Sequence, residues 1–152
     1  MKDENVQDLR VRTKEFALRI IRLYTSLPKT TEAQVMGKQV LRSGTSVGAH
    51  YREASRAKSD ADFVNKIEGA LQELDETAYW LELLAESGIV KTEKLESLIK
   101  ETDELIAIFV TIAIKVKKPF EQEEIMQGRV KQNPYGTFIL HPSAFILRRS
   151  YA

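Results

Sequence analysis

Apolar residues recur along the first part of the chain with the spacing of two amphipathic helices. One face of the first helix, at about 100° per residue, carries Leu9, Thr13, Phe16, Ile20, Leu23, Tyr24 and Leu27. Pro28 is predicted to end this helix, because proline cannot continue the hydrogen-bond ladder. Thr31 with Gln34 three residues later has the spacing of a capping box, which predicts a second helix running to about Arg56.

A third helix is predicted to begin at Ser59, because Asp60 and Asp62 follow and carboxylates are favourable at the positive end of a helix dipole. Its predicted core face consists of Phe63, Ile67, Ala70, Leu71, Leu74, Ala78, Leu81 and Ala85. Gly88 is the predicted C-terminal cap, since glycine adopts the left-handed conformation without steric cost.

Thr92 is predicted to cap a fourth helix that ends at Pro119, with Lys115, Lys117 and Lys118 near its negative end. Its inward stripe consists of Leu95, Leu98, Ile99, Thr102, Ile106, Phe109, Ala113 and Val116. The β-branched run at residues 106–114 makes a strand the alternative. The helical stripe starts upstream of this run and continues through it, which favours the helix.

Four helices joined by short links predict an all-α fold, namely an antiparallel up-down-up-down four-helix bundle over residues 1–118. Residues 119–152 differ in kind, because Pro, Gly, Asn and Gln are scattered through them and the triplet Phe-Ile-Leu occurs twice. We predict that they form a C-terminal extension, either irregular or docked on a neighbouring subunit.

The composition indicates one cytoplasmic domain. A chain of 152 residues is long enough to bury roughly 70% of the surface that its unfolded form exposes. The absence of cysteine excludes disulfide scaffolds, thiolate zinc sites and cysteine nucleophiles. The first residues lack the apolar core of a signal peptide, and the longest uncharged apolar run, residues 105–114, is much shorter than the roughly 18 residues of a membrane span. We expect no membrane partner.

Motifs for metal binding and catalysis are missing from the sequence. A di-metal site in a bundle needs Glu-x-x-His motifs on two helices, whereas here His50 precedes Glu53 in the reverse order and His141 lies in the extension. Neither Gly-x-x-x-x-Gly-Lys nor Gly-x-Gly-x-x-Gly occurs, and no serine has an identifiable base. An acid–base pair of His50 and Glu53 is the remaining enzyme hypothesis. We expect no enzymatic activity, no metal and no cofactor.

Gly37, Gly44 and Gly48 fall on the inward face of the second helix, although each glycine costs about 1 kcal/mol of helix stability relative to alanine. Small residues allow two helix axes to come closer than the usual distance of roughly 8–10 Å. We therefore predict close packing against a neighbouring helix, with a ligand-binding notch as the alternative.

The net charge is only +1, but it is unevenly distributed. Residues 1–31 contain seven basic and four acidic residues and residues 32–58 five and two, whereas residues 59–88 contain one and eight. Basic side chains form strips on the first two helices: Arg12, Arg19, Arg22, Lys38, Arg42, Arg52 and Arg56. An acidic stripe on the third helix consists of Glu68, Asp75, Glu82 and Glu86. These charges either pair with one another, within or between subunits, or bind the phosphate backbone of RNA or DNA.

Apolar residues also lie away from the core stripes of the third and fourth helices. They are Tyr79, Trp80, Leu83, Ile108, Ile112 and Ile114. Monomers rarely expose large contiguous apolar patches, so we predict a protein interface at these residues. A homo-oligomer is the simplest form of this interface, and a different protein partner is the alternative.

Residues 41–84 read LRSGTSVGAHYREASRAKSDADFVNKIEGALQELDETAYWLELL. This run resembles the four-helix-bundle family encoded in intervening sequences of bacterial large-subunit ribosomal RNA genes, which is related to the accessory variability proteins of diversity-generating retroelements. The motifs that carry the resemblance are Arg-Ser-Gly-Thr-Ser-Val-Gly-Ala at 42–49, Arg-Glu-Ala at 52–54, Ala-Asp-Phe at 61–63, Asp-Glu-Thr at 75–77 and Tyr-Trp-Leu-Glu-Leu-Leu at 79–84.

The resemblance covers residues 8–118 and implies the bundle fold, a homopentameric ring and no known catalysis. For the retroelement branch it also implies a positively charged surface that binds nucleic acid, and a reverse-transcriptase partner. His50 departs from the family pattern, which commonly has Asn after Gly-Ala. The low net charge is a second departure, since the retroelement proteins are more basic.

Overall fold

The computed structural model of the protein describes residues 8–127, 130–132 and 138–140, with side chains described outside residues 118–125 and the two strands. The elements follow one another as α1 (Leu9–Ser26), α2 (Thr31–Ala54), α3 (Asp60–Glu86), α4 (Thr92–Met126), β1 (Val130–Gln132) and β2 (Phe138–Leu140). The chain divides into two compact units, Met1–Ala113 and Ile114–Ala152. The first unit contains α1, α2, α3 and the first part of α4, which confirms the all-α four-helix bundle.

Side-chain contacts within the first unit establish the antiparallel order of the helices. Gly48 of α2 lies against Thr13 near the start of α1, whereas Gly37 lies against Leu27 just after its end. Ser43 of α2 meets Thr77 of α3, and Glu53 further along α2 meets Lys66, earlier in α3, so α3 runs opposite to α2. Arg12 near the start of α1 reaches Glu101 of α4, and Arg19 further along α1 reaches Ser97, earlier in α4, so α4 runs opposite to α1. Neighbouring helices therefore alternate in direction.

The core contains large side chains from all four helices. Phe16 and Ile20 of α1, Leu74 and Leu81 of α3 and Phe109 of α4 are almost completely buried. The ring of Tyr51 on α2 packs edge-on against the ring of Phe109, with a centroid distance of 5.7 Å. Burial of these apolar groups is the main source of stability for such a fold.

The buried face of α3 is rotated relative to the predicted face. Ile67, Ala70, Leu74 and Leu81 are buried as predicted, but the remaining buried positions are Val64, Thr77 and Leu84. The predicted residues Phe63, Leu71, Ala78 and Ala85 are half-buried. A helix that packs against two neighbouring helices buries a stripe wider than one heptad seam. The positions of the two neighbours decide which residues lie at the centre of this stripe.

The predicted caps Ser59 and Gly88 are confirmed, whereas Thr31 and Thr92 are wrong because both are already the first helical residues of α2 and α4. The Ser59 hydroxyl accepts a hydrogen bond from the Asp62 amide at the start of α3, and Gly88 has φ of +76° after the end of that helix. At the start of α2, however, Thr30 is the cap and accepts from the Ala33 amide. Thr31 is already helical, and Gln34 donates to the Pro28 carbonyl instead of completing a capping box. The extended backbone of Thr30 orients its hydroxyl toward the free amides.

Close packing of α1 and α2 is confirmed at the predicted glycines. A methyl group added at Gly44 would lie 2.7 Å from Cγ1 of Ile20, and one added at Gly37 would lie 2.6 Å from Cδ1 of Leu27. Both distances are far below van der Waals contact. The missing side chains therefore allow the Ile20 and Leu27 side chains to rest directly on the α2 backbone.

The second unit begins within α4, which continues to Met126. The prediction that Pro119 ends this helix is therefore wrong. A proline removes one backbone hydrogen bond, and the following residues Phe-Glu-Gln-Glu-Glu-Ile-Met, mostly favourable in helices, continue the ladder. Strands β1 and β2 pair antiparallel, with Val130 opposite Leu140. The docking of residues 119–152 on a neighbouring subunit stays a prediction, and residues 128–129, 133–137 and 141–152 of this segment lie outside the described residues.

Candidate functional site

Arg12, the first cation of the predicted basic strip on α1, is bound to carboxylates of α4. Its Nε donates to Glu101 at 2.8 Å and its Nη2 to Glu104 at 2.6 Å. The hydrogen bonds that Arg12 donates to Glu101, together with the charge of both carboxylates, raise the pKa of Arg12 further above its ordinary value. The side chains of Arg12 and Glu101 are only about one-fifth exposed. Arg12 is thus a link between two helices and has little positive charge left for a ligand.

Arg42 is neutralised in a similar way on the other side of the bundle. Its guanidinium contacts Glu73 of α3 at 3.0 Å and also Glu76. Neither carboxylate belongs to the predicted acidic stripe. The pair bridges α2 and α3, so the central residue of the predicted stripe on α2 is bound within the same chain.

An open groove of about 290 Å³ lies where the last turns of α1 meet the first turns of α4. Arg19 and Arg22 of α1 and Lys94 of α4 form its rim. Its floor is apolar, with Leu23 and Val90 half-buried and Leu95 and Leu98 buried beneath them. Within the described residues the lining includes three cations and no carboxylate. We call this feature the basic groove.

Helix spacing explains the shape of the basic groove. Arg19, Leu23 and Ser26 are separated by four and three residues, so they lie on the same face of α1. Lys94 and Leu98 share a face of α4 for the same reason. The Arg19 guanidinium donates to the Ser97 hydroxyl at 2.8 Å, which holds it across the seam between the two helices.

The remaining predicted cations lie elsewhere. Lys38 and Arg52 are exposed on the outer face of α2 and Arg56 is exposed just after its end, all outside the lining of the basic groove. The structure therefore does not gather the seven predicted residues into one site. It brings Arg19 and Arg22 together with Lys94, a residue that the sequence pattern did not single out.

A family model described as the 23S rRNA-intervening sequence protein matches residues 7–111. The chain belongs to this family. A crystal structure from Bacteroides thetaiotaomicron, described as a protein with unknown function from the S23 ribosomal protein family, is 44% identical with a TM-score of 0.65. The match covers 69% of this chain and 94% of that one. No curated protein matches the chain. The relation to the accessory variability proteins stays a prediction.

In this member of the intervening-sequence protein family, the side chain of His50 on α2 packs against α3. Its ring packs over Gly69, and its nitrogens are 3.8 Å from the Glu53 carboxylate and 3.9 Å from the Glu73 carboxylate. Its Nδ1 is buried without a hydrogen-bond partner among the described residues. Glu53 is itself bound to Lys66 at 3.1 Å, which lowers the pKa of its carboxyl group. A carboxylate in an ion pair is a poor general base, so this arrangement favours a structural role.

The predicted oligomer interface of this family member is unevenly exposed. Tyr79 is 53% exposed and packs against the Trp80 ring, whereas Trp80 and Leu83 are half-buried. Ile108 and Ile112 are also half-buried. Ile114, in the second unit, is 49% exposed. The side chains available to a partner on α3 are thus mainly Tyr79 and the exposed edges of its neighbours.

Two further observations concern the described part of this family member. Its His, Asp and Glu side chains form no group of three that could hold a metal ion. None of its helices is both apolar enough and long enough to span a bilayer.

Proposed function

We propose that this protein is a non-enzymatic homo-oligomer that binds RNA or DNA weakly and without sequence preference through the basic groove. The observation that carries the proposal is the convergence of Arg19, Arg22 and Lys94 on an open groove whose described lining contains no carboxylate. Such a group of cations attracts phosphates because binding releases the counterions that are condensed on the nucleic acid.

The expected weakness and lack of specificity follow from the same side chains. Contacts from arginine and lysine to phosphate oxygens fix the position of a nucleic acid but do not read its bases. Three cations per chain neutralise few phosphates, so one subunit binds weakly. A homo-oligomer, which the resemblance favours as a pentamer, would present several grooves to one strand and gain affinity through multivalency.

The test is fluorescence anisotropy with a labelled structured RNA at several salt concentrations. A groove variant with Arg22→Glu and Lys94→Glu is compared with a control variant carrying Arg52→Glu and Arg56→Glu. All four side chains are exposed, and the change in charge is the same in both variants. We expect the groove variant to lose binding. The control should keep the affinity of the parent and its salt dependence, in which the logarithm of the affinity falls with the logarithm of the salt concentration by about 0.9 per duplex phosphate contacted.

Circular dichroism controls for folding in both variants. A glutamate at position 94 lies in the first turn of α4, where a negative charge is favourable, so we expect the helix to stay intact. Loss of binding in the control and retention in the groove variant would assign the site to the outer face of α2 instead.

A second candidate function is a structural or scaffolding oligomer that acts through a protein partner. The ion pairs of Arg12 and Arg42 favour it, because these two predicted cations already bind carboxylates of the same chain. Light scattering coupled to size exclusion separates the candidates. A particle whose mass falls at high salt and that does not bind RNA would support the scaffold.

A further inference from the structure

The basic groove has a charged surface and an apolar surface side by side, whereas a nucleic-acid duplex would require only the charged one. Its rim is positively charged, through Arg19, Arg22 and Lys94, while its floor is apolar. Leu23 and Val90 form the accessible part of the floor. Phosphate contacts alone would use the rim and leave the floor without a partner.

A duplex keeps its bases stacked inside and presents sugar and phosphate on its convex outer surface. It would therefore contact the rim cations and span the groove without reaching the floor. In a single strand the bases are free to turn out of the stack and to rest on side chains next to the backbone contact. The volume of about 290 Å³ is close to the lower limit of small-ligand pockets, roughly 300 Å³, which suits one nucleotide.

Resting on the proposed function, we propose that the basic groove binds single-stranded nucleic acid, with a phosphate on the rim and one base on the Leu23 and Val90 floor. Arg19 is held toward α4 by Ser97, so it is already positioned for the phosphate. Arg22 is exposed, so its planar guanidinium is free to pair with a phosphate or to lie against a base.

The experiment measures the binding of a labelled single strand of about 12 nucleotides, within the usual site sizes, and of the same strand annealed to its complement. Val90→Ser removes apolar surface from the floor without changing charge. Val35→Ser is the matched control, because Val35 is 55% exposed on α2 and does not line the groove. Thermal unfolding followed by circular dichroism shows whether both variants are folded.

We expect the parent protein to bind the single strand about tenfold more tightly than the duplex at the same salt concentration. Val90→Ser should weaken single-strand binding about threefold, by loss of apolar contact, and leave duplex binding unchanged. Val35→Ser should change neither. Photocrosslinking of a 4-thiouridine single strand to the parent protein tests the same site without mutation, and crosslinks to residues 90–98 are expected.

Equal affinity for both forms, with no effect of Val90→Ser and no crosslink to residues 90–98, would overturn the single-strand assignment while the proposed function stands. Failure of the parent to bind either form would overturn the proposed function itself.

Discussion

The side-chain oxygens of Ser43 and Thr77 lie 2.8 Å apart between α2 and α3, and both residues are completely buried. The Thr77 hydroxyl also donates to the Glu73 carbonyl at 2.7 Å. Since a hydroxyl has only one proton, the Ser43 hydroxyl must be the donor to Thr77. The two residues thus form a directed chain of hydrogen bonds in the buried part of the α2–α3 interface.

This direction predicts unequal effects of the two substitutions. Thr77→Val removes the short acceptor and leaves the buried Ser43 hydroxyl with only the Val40 carbonyl, at 3.5 Å, to donate to, which should lower the free energy of unfolding by about 1–3 kcal/mol. Ser43→Ala removes only a donor and should cost about 0.5–1.5 kcal/mol. Urea denaturation of both variants and of the double variant checks this. A double variant that loses the full sum of both values would mean that the hydroxyls are not coupled.

Gly44→Ala tests the close approach of α1 and α2. The new methyl group would lie 2.7 Å from Ile20 Cγ1, so either the Ile20 side chain must shift or the helices must separate. Overpacking of this kind costs about 1–3 kcal/mol, more than the roughly 1 kcal/mol that alanine gains over glycine in a helix. Ile20→Ala removes the opposing side chain. The double variant should therefore unfold with a smaller loss than the two single losses combined, and additive losses would contradict the contact.

Arg12 and Arg42 make similar ion pairs at different depths, which predicts different contributions to stability. Arg12→Gln leaves Glu101, whose side chain is 18% exposed, without its cation and should cost about 1–3 kcal/mol. Glu73 is as buried as Glu101, at 16%, but the Arg42 side chain is 48% exposed against 20% for Arg12, and Glu73 keeps the His50 ring at 3.9 Å. Arg42→Gln should therefore cost less, about 0–1 kcal/mol, because water screens the exposed arginine. Thermal and urea unfolding of both variants measure this difference. Equal losses would mean that burial does not set the strength of these pairs.

Lys66 should control the titration of Glu53. The ion pair holds the pKa of the Glu53 carboxyl below its ordinary value of 4.5. A depressed pKa stabilises the folded state above the unfolded value, and this contribution is lost as the pH falls through the folded-state pKa. Lys66→Met should raise the Glu53 pKa, and the stability gap between parent and variant should close below the ordinary value. Carbon-13 NMR titration of Glu53 gives the pKa.

Lys100→Met is the control for this titration, because Lys100 is 79% exposed and contacts Glu104 at 3.9 Å. It should leave Glu53 unchanged. An unshifted Glu53 in Lys66→Met would contradict the pairing.

The sequence predicts the fold correctly where a signal depends only on residues of a single helix. Ser59 and Gly88 mark the ends of α3 because capping and left-handed backbone need particular side chains at single positions. The start of α2 was misplaced by one residue because Thr30 and Thr31 carry the same hydroxyl, and only the backbone angles decide which one caps.

The candidate site was less predictable because it depends on the register between helices. Nothing near Arg12 or Arg42 in the sequence identifies Glu101 or Glu73 as a partner, since each pair joins two different helices. Lys94 was overlooked for the same reason. Its position beside Arg19 and Arg22 follows from the antiparallel pairing of α1 with α4, which a pattern read along one helix does not contain.

Helix α1 packs against α2 and against α4 through different kinds of contact. Toward α2, Ile20 rests on the bare backbone at Gly44, whereas the described polar contacts toward α4 run through Arg12 with Glu101 and Arg19 with Ser97. Water and salt compete for charged contacts more readily than for packed apolar ones. In native-state hydrogen exchange, the first turns of α4 should therefore detach from α1 earlier than α1 detaches from α2. The basic groove lies at this weaker contact between α1 and α4. A ligand bound in the groove would therefore hold the two helices together and slow amide exchange far more at their contact than in α2.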